Sequence, residues 1–557
     1  MPIPDTNFCS GTPRFSDNRQ QSLARSGDPD AAWGVALQGD IRSALQGITG
    51  DFAVGRREPN GRVLLAVDRF AVRTLCYRQV GGQLLFAERA DALADAGTDI
   101  DPQAIFDYLY FHVIPSPRTI YKGVFRLPAG HYAVYEDGHL TVAPYWVPDF
   151  VESHDTPLAD LKAEFMDILR GAVGRELDGG KPACFLSGGT DSSTVAGMAA
   201  LASGNQVATY SIGFDAQGYD EMEFARIAAR HFKTDHHEYY VTPADLVRDI
   251  PAVAAHYDQP FGNSSALPAY CCAKMAREDG VSKLLAGDGG DELFGGNTRY
   301  AKQKVFGWYA SVPAIVRARL LEPLASRSAM NHVPIVRKAM SYVNQAMVPM
   351  PDRLMTYNLL FRLGVQDVLT PELLAQVHQD GPAQQQRQLW VQAHTDSLVN
   401  RMLAFDWRYA LADCDLPKVV GTTDLAGVAV GFPLLDDQLL AFSLRLPTRY
   451  KLKGLKLRWF FKEALREFLP NEIIGKKKQG FGLPFGVWAN SDPALKKLAN
   501  DSLQSLAARG VVREEFVRTL LSQRLPEHPG YYGEMVWILM MLEQWFAAKA
   551  PRFSIAR

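Results

Sequence analysis

Cysteine is scarce in this sequence. The 557 residues contain six cysteines, and no two of them form a C-x-x-C pair. We therefore expect neither a disulfide framework nor a zinc site, which fits a protein of the reducing cytoplasm. The N-terminus lacks both a basic start and an apolar stretch, so no signal peptide is predicted.

Long hydrophobic runs and an excess of one charge are also missing. The most apolar late run, MVWILMML at 535–542, is too short to cross a bilayer and predicts a buried helix. The formal net charge of −2 gives no electrostatic reason for binding nucleic acid or an anionic membrane. We expect no nucleic-acid partner and no membrane span.

Three catalytic signatures are absent as well. The sequence has no HExxH, no G-x-S-x-G and no Walker lysine, which disfavours protease, esterase and ordinary kinase functions. What is present is a hydrophobic content of 47%, typical of a soluble globular protein. A chain of this length predicts two or more domains.

The organisation changes at a polar stretch near residue 150. Residues 1–150 look β-rich, with strands predicted within 51–70 and 81–90 and a hairpin predicted within 130–146. From Leu158 to about residue 300, short apolar strands alternate with helical segments. This alternation predicts a parallel sheet with right-handed crossovers, followed by a mainly helical region. We predict a front domain over 1–150 and a second domain over 151–557.

The stretch LSGGTDSS at 186–193, the first bend, joins an apolar strand to a helix of small residues. Gly188 and Gly189 permit positive φ and let a ligand approach the main chain. The amides and dipole of the following helix favour an anion at this bend. The pattern indicates a phosphate cradle, with an ordinary strand-to-helix turn as the alternative.

The stretch GDGGDE at 287–292, the second bend, also follows an apolar strand and carries Asp288 and Asp291. Ligands of doubly wound sheets bind beyond the carboxyl ends of the strands, so both bends are expected to face one crevice. Asp191 and Asp291 are candidate Mg²⁺ ligands, because Mg²⁺ binds through one or two carboxylates together with phosphates.

With these bends, several further segments resemble the ATP-pyrophosphatase (PP-loop) domain of the glutamine-dependent asparagine synthetases. They are SIGFD (211–215), YDEMEFARIAARHF (219–232), DQPFGNSSALPAY (258–270), FPLLD (432–436) and KKKQGFGLPFGVW (476–488). The order and spacing match over most of residues 50–550. The resemblance implies an α/β fold: a truncated Ntn-amidotransferase-like β-rich N-terminal domain precedes a parallel-sheet PP-loop synthetase domain with a helical C-terminal extension.

The resemblance implies a carbon–nitrogen ligase that uses ATP and Mg²⁺. ATP would activate a small-molecule or peptide carboxylate as an acyl-adenylate and release pyrophosphate, and ammonia or an amine would then form the amide. A homodimer is compatible with this family. The ATP-binding residues carried over by position are Leu186, Ser187, Gly188, Gly189, Asp191, Ser192, Ser193, Ile212, Gly213, Gly287 and Gly289.

Among these, the residues of the first bend would hold the pyrophosphate, and Ile212 and Gly213 would border the adenosine. Asp288 stands where the family has glutamate and would position or deprotonate the amine. Arg458, with Lys456 in reserve, stands where the family has a lysine that steadies the pyrophosphate. Lys478 and Gln479 are secondary candidates.

The front domain departs from the family. Residue 2 is proline where working glutaminases have their nucleophilic cysteine, and the segment upstream of residue 48 is shortened. Cys9 could serve as an N-terminal nucleophile only after unusual trimming. We therefore expect no glutaminase activity, as in the β-lactam synthetases and lasso-peptide cyclases.

A second departure lies at 416–436, where Lys418 and Pro433 to Asp436 of the family pattern survive. Val420, Gly421 and Gly431 replace charged residues of the family, which argues against aspartate as the acceptor. The alternatives are an asparagine synthetase using ammonia or glutamine, and a non-catalytic ATP-binding scaffold. PP-loop chemistry on tRNA is disfavoured by the near-neutral charge.

Overall fold

The computed structural model describes residues 7–95, 97–177, 180–310, 334–477 and 482–555, together with positions 316 and 319. Its front region contains eight strands: β1 Phe8–Gly11, β2 Phe52–Arg57, β3 Val63–Val67, β4 Cys76–Val80, β5 Gln83–Ala87, β6 Val124–Arg126, β7 His131–Glu136 and β8 His139–Pro144. They form two antiparallel sheets with the orders β1-β2-β3-β7-β8 and β5-β4-β6. The hairpin predicted within 130–146 is confirmed, since Glu136 pairs with His139 across its turn.

The beginning of the front region is more helical than the sequence indicated. Three helices follow β1: α1 Asn18–Arg25, α2 Pro29–Ala36 and α3 Ile41–Gln46. Each is preceded by an aspartate whose carboxylate accepts main-chain N–H groups of the first turn, namely Asp17, Asp28 and Asp40. These N-caps stabilise short helices that propensity alone would leave marginal. The front region also contains α4, Pro102–Phe111.

The predicted parallel sheet is confirmed. Its strands are β9 Ala183–Phe185, β10 Ala208–Phe214, β11 Asp235–Val241, β12 Lys283–Leu285 and β13 Ala429–Gly431, in the order β11-β10-β9-β12-β13. All neighbouring pairs are parallel. Strand β13 was not predicted, because it is three residues long and lies within a helical region.

Helices cover this sheet and fill most of the C-terminal region. The helices between and beside the first four strands are α5 Leu158–Glu176, α6 Thr190–Ser203, α7 Met222–Phe232, α8 Pro243–His256, α9 Ala266–Glu278 and α10 Gly290–Phe294. Later α-helices are Thr298–Ala310, Pro334–Met347, Leu359–Leu363, Val365–Val368, Pro371–Leu374, Gly381–Trp390, Leu398–Asp406, Leu416–Ala426, Asp437–Arg445, Thr448–Lys451, Trp459–Ala464, Asn471–Gly475, Phe485–Ser491, Pro493–Ala508, Glu514–Thr519, Leu525–Glu527 and Pro529–Lys549.

Short elements complete the chain. They are π-helical turns at Trp407–Asp415 and Leu520–Arg524, 3-10 turns at Ala90–Ala92, Asp352–Met355 and Pro433–Leu435, and a hairpin of β14 Leu452–Lys453 with β15 Lys456–Leu457.

The apolar run at 535–542 lies within the helix Pro529–Lys549, and all of its residues are buried, as predicted. This segment is apolar around its whole circumference, which suits a helix enclosed on every side. Its neighbours include α4 of the front region, where Tyr108 Oη donates a hydrogen bond to the Ile538 carbonyl at 2.8 Å. The front region and the C-terminal helices therefore share one core. No helix among the described residues has the length and apolarity needed to cross a membrane.

Candidate active site

The two bends border one cavity of about 460 Å³. The first bend follows β9 and the second follows β12, and these strands are hydrogen-bonded neighbours. Because parallel strands end at the same edge of a sheet, their bends meet there. The expectation that both face one crevice is confirmed.

The first bend has a main chain that only glycine can adopt. Gly188 has φ of +66°, and an added Cβ would overlap the main chain of Phe224 and Ala225. Two hydroxyls cross the bend: Ser187 Oγ lies 2.9 Å from Ser192 Oγ, which also accepts the Ser187 N–H at 3.1 Å. The bend thus presents hydroxyls and the N-terminus of α6 to the cavity, groups that bind anions.

The second bend lies directly against the first. An added Cβ at Gly287 would be 2.7 Å from Ser192 N, and one at Gly290 would be 2.6 Å from Asp191 Oδ1. Side chains at these positions would push the bends apart. The glycines therefore allow a carboxylate of each bend to reach the same point.

Arg458 occupies that point. Its Nη1 lies 2.6 Å from Asp191 Oδ2 and 2.7 Å from Asp291 Oδ1, and the residue is only 7% exposed. Burial alone would lower the pKa of Arg458, but Asp191 and Asp291 raise it above its ordinary value. The guanidinium is thus a permanent charge shared by both bends.

The backbone of Arg458 is strained in a way that aims this side chain. Its φ is +49°, in the left-handed region, immediately before the helix Trp459–Ala464. Its N–H donates to the Gly295 carbonyl at 3.1 Å. A non-glycine residue in this conformation is uncommon and is retained where the surroundings fix it.

The donor set fits Mg²⁺. Two carboxylates, Asp191 and Asp291, already meet at a single cationic nitrogen, and Mg²⁺ takes its remaining ligands from waters and phosphates. Among the described residues, no group of three or more His, Cys, Asp or Glu side chains could form an all-protein metal site. A metal here would therefore depend on the nucleotide.

Asp288 lies at another part of the cavity with Lys418 and Asp415. Lys418 Nζ is 3.5 Å from Asp288 Oδ1 and 3.0 Å from Asp415 Oδ1. Burial raises the pKa of Asp288, Lys418 lowers it and Asp415 raises it, with a net increase above the ordinary value. Neither Lys418 nor Asp415 was predicted from the sequence as a site residue.

Two lysines of the segment 476–488 line the cavity beside the first bend. Lys476 Nζ lies 3.0 Å from Glu221 Oε2, donates to the Gly188 carbonyl at 3.3 Å and sits 4.5 Å from the Phe224 ring centre. Lys477 also lines the cavity. Lys478 and Gln479 of the same basic run, the secondary candidates from the sequence, lie outside the described residues.

One wall of the cavity is largely apolar and suits a nucleoside. Its residues come from β9, the start of the first bend, β10 and α9: Phe185, Leu186, Tyr210, Ile212, Pro268, Ala269 and Cys272. Ile212 and Leu186 were predicted, whereas the α9 residues were not, because nothing in their sequence distinguishes a cavity wall from helix packing. Gly213 faces away, since its added Cβ would be 2.7 Å from the Tyr240 ring.

Some predicted residues are not brought to the cavity. Lys456 is exposed in β15 and pairs across its hairpin with Lys453, so only Arg458 of the two candidates reaches the bends. Ser193 is fully buried in α6. The cavity does include Gly189, Gly287 and Gly289.

The three positions at which charged residues of the family are replaced also lie outside this cavity. Val420 and Gly421 line a separate cavity between the front region and the second half of the chain, and Gly431 lines another. An added Cβ at Gly421 would be 2.5 Å from the Tyr257 ring, and one at Gly431 would be 3.1 Å from the Glu176 carboxylate carbon. None of the three lines the cavity of the two bends, so the predicted link between these losses and the acceptor pocket has no support from its lining.

Cys9 lies in β1, paired with Val54, and its side chain packs on the apolar cluster of the front region. Burial raises the pKa of the Cys9 thiol, as does Asp30, while Arg56 opposes them. A raised pKa lowers the thiolate fraction at neutral pH. The surroundings of Cys9 are those of a packed side chain.

Comparisons with known proteins agree with this arrangement. A family model described as asparagine synthase matches residues 164–547, and one described as a glutamine amidotransferase domain matches residues 35–146. Asparagine synthetase (glutamine-hydrolyzing) 1 of Bacillus subtilis is 23% identical over 507 residues, which are 90% of this chain and 78% of that protein.

Other relatives match a smaller part of the chain. The putative asparagine synthetase (glutamine-hydrolyzing) 2 of Methanocaldococcus jannaschii is 33% identical over 246 residues, 42% of this chain and 47% of that protein. Amidase chyE of Penicillium rubens is 27% identical over 282 residues, 46% of this chain and 41% of that protein. The asparagine synthase match covers more than half of the chain, which therefore belongs to this family and is a carbon–nitrogen ligase.

Proposed function

We propose that the protein is an ATP-dependent amide-forming ligase that activates a carboxylic acid as its adenylate and transfers the acyl group to ammonia or an amine. The observation that carries this proposal is the convergence of Asp191 and Asp291, one from each bend, on a single buried cation. The phosphates of a nucleotide in the cavity would find hydrogen-bond donors and the ligands of a metal ion at the same point.

In the adenylation step of this proposal, the residues of the cavity have four roles. Ser187, Gly189 and Ser192 of the first bend bind the pyrophosphate end of ATP, and Ile212 borders the adenosine. Bound Mg²⁺, held by Asp191 and Asp291, would neutralise charge on the leaving pyrophosphate. Arg458 stays charged beside it and stabilises the same developing charge.

Asp288 is the candidate base for the second step. Its side chain is 22% exposed, and its raised pKa makes it a better proton acceptor than an ordinary aspartate. Lys418 positions it from 3.5 Å away. In this proposal Asp288 orients the amine and takes its proton as the amide forms.

The front domain, proposed to span 1–150, does not hydrolyse glutamine. Cys9, the candidate nucleophile, is packed in β1 with a raised pKa. The amine or ammonia would therefore come from solution or from a second group on the substrate.

Asparagine formation from ammonia is a second candidate. Val420, Gly421 and Gly431 lie outside the cavity, so their lack of charge no longer argues against aspartate. Lys418, which does line the cavity, offers a cation for an acidic acceptor.

The test is a screen of carboxylic acids and amines with Mg²⁺ and ATP, read by pyrophosphate release and by mass spectrometry of the products. We expect AMP, pyrophosphate and one amide from a matching pair, with no product from Asp291→Asn. Release of ADP and phosphate would contradict adenylation. An unresponsive protein that also fails to bind ATP would favour the scaffold alternative.

A further inference from the structure

The second bend rests on a turn that lies far along the chain. Leu434 and Leu435 belong to the 3-10 turn Pro433–Leu435, which we call the leucine turn, and both are buried. An added Cβ at Gly290 would be 3.1 Å from Leu434 Cδ1, and one at Gly289 would overlap the side chain of Leu435. The main chain of the second bend is therefore in direct contact with both leucines.

The helix Asp437–Arg445, which follows this turn, adds a second support. Ser443 Oγ donates to the Leu293 carbonyl at 2.6 Å, and Leu293 lies in α10 two residues after Asp291. Any displacement of this helix would thus move both the leucine turn and α10.

Two aspartates are contacted by the front region: Asp436, which precedes this helix and also pairs with Arg175 of α5, and Asp437, its first residue. Arg69 Nη1 donates to Asp437 Oδ1 at 2.7 Å, and the Gly50 N–H donates to Asp437 Oδ2 at 2.7 Å. Arg14 Nη2 lies 3.2 Å from Asp436 Oδ2. We call these five residues, Arg14, Gly50, Arg69, Asp436 and Asp437, the joint.

Arg69 is itself fixed within the front region. Its Nη1 also donates to the Ile48 carbonyl and its Nη2 to the Gln46 carbonyl, each at 2.9 Å. Its side chain is 11% exposed. A largely buried guanidinium bound to one carboxylate and two carbonyls has a fixed orientation, because charge-assisted hydrogen bonds are strong and directional.

We infer that the front region positions the second bend through the joint, so that Arg69 and Asp437 are positioning residues for the ligase site. The contacts run from Arg69 and Gly50 to Asp437, from there to the leucine turn, and so to the bend that carries Asp288 and Asp291. A front domain without glutaminase activity would be retained for this support. The inference rests on the proposed function only for its effect on nucleotide affinity.

Amide hydrogen exchange of the intact chain tests this support without any ligand. We expect Arg69→Met and Asp437→Asn to speed exchange at 287–294 by about tenfold and to leave 186–193 unchanged. Arg69→Lys, which keeps the charge, should give a smaller increase. Arg62→Met is the matched control, because Arg62 faces Glu58 and Glu136 within the front region, at 3.8 and 3.7 Å.

Nucleotide affinity supplies a second readout. Calorimetric titration with AMP-PNP and Mg²⁺ should show binding weakened by about tenfold in Arg69→Met and unchanged in Arg62→Met. Unchanged exchange at 287–294 in folded Arg69→Met and Asp437→Asn, or an equal increase in both bends, would overturn the inference. Wild-type protein that does not bind AMP-PNP would instead contradict the proposed function, and the exchange experiment would still decide the role of the joint.

Discussion

The first and second bends have similar sequences, yet different parts of the chain support them. Gly188 of the first bend packs on α7, which follows the next strand, and its serines bond to one another. The second bend packs on Leu434 and Leu435, which precede two aspartates bound by the front region. The first bend thus packs mainly on neighbouring elements, with Arg458 and Lys476 as its distant contacts, whereas the second bend packs on distant segments. Substitutions in each bend should reveal this difference.

The largest effect is expected on pyrophosphate release, from substitution of the two aspartates that share Arg458. Asp191→Asn and Asp291→Asn should each lower pyrophosphate release by about 100-fold or more, because each removes a carboxylate from the shared cation. Residues that act as a unit are non-additive, so the double variant should be no slower than either single variant. Losses that multiply in the double variant would show that the bends work separately.

The next largest effect is expected on stability, from a substitution in the backbone of the first bend. Gly188→Ala forces alanine to φ of +66° and into the main chain of α7, at a cost of roughly 1–2 kcal/mol or more in unfolding free energy. Gly189→Ala is the control, because its φ is −79° and the nearest atom, Ser187 Oγ, is 3.3 Å from the added Cβ. Thermal unfolding measures both. Equal melting temperatures for the two variants would contradict the assigned geometry.

The pH dependence of amide formation tests the second bend. Asp288 must be ionised to accept a proton, so the rate should rise with pH through its raised pKa. Lys418→Met removes the group that lowers this pKa and should move the rise to higher pH. Asp415→Asn removes a group that raises it and should move the rise to lower pH. A profile that keeps its position in both variants would exclude Asp288 as the base.

The smallest effect is expected in the front domain. Cys9→Ser should leave amide formation from free amine within about twofold of wild type, because Cys9 only packs in β1. Glutamine should yield no glutamate with either protein. Glutamate production by the wild type that Cys9→Ser abolishes would restore a glutaminase role.

The difference between local and distant contacts also explains how much of the fold could be predicted from the sequence. The first bend, the alternation of strands and helices, and the hairpin at 130–146 all follow from local patterns of glycine and apolar residues, and all are present. The leucine turn behind the second bend and the strand β13 depend on contacts between distant segments, which no local pattern encodes.

The site residues, too, could be predicted only where a local sequence pattern marks them. Asp191, Asp288 and Asp291 stand in recognisable glycine-rich bends, whereas Asp415 and Lys477 stand in ordinary helical or basic stretches. Lys418 was visible as a surviving family residue, but only the structure shows its distance from Asp288. The helices α1–α3 were missed because their aspartate caps are single residues in an otherwise irregular segment.

The most direct test of the central claim is a calorimetric titration of AMP-PNP with Mg²⁺ into the wild type, Asp191→Asn and Asp291→Asn, with circular dichroism to verify folding. We predict one nucleotide per chain in the wild type and a similar loss of affinity, about 100-fold, in both folded variants. Wild-type affinity in either variant would contradict the claim that one nucleotide is held by both bends.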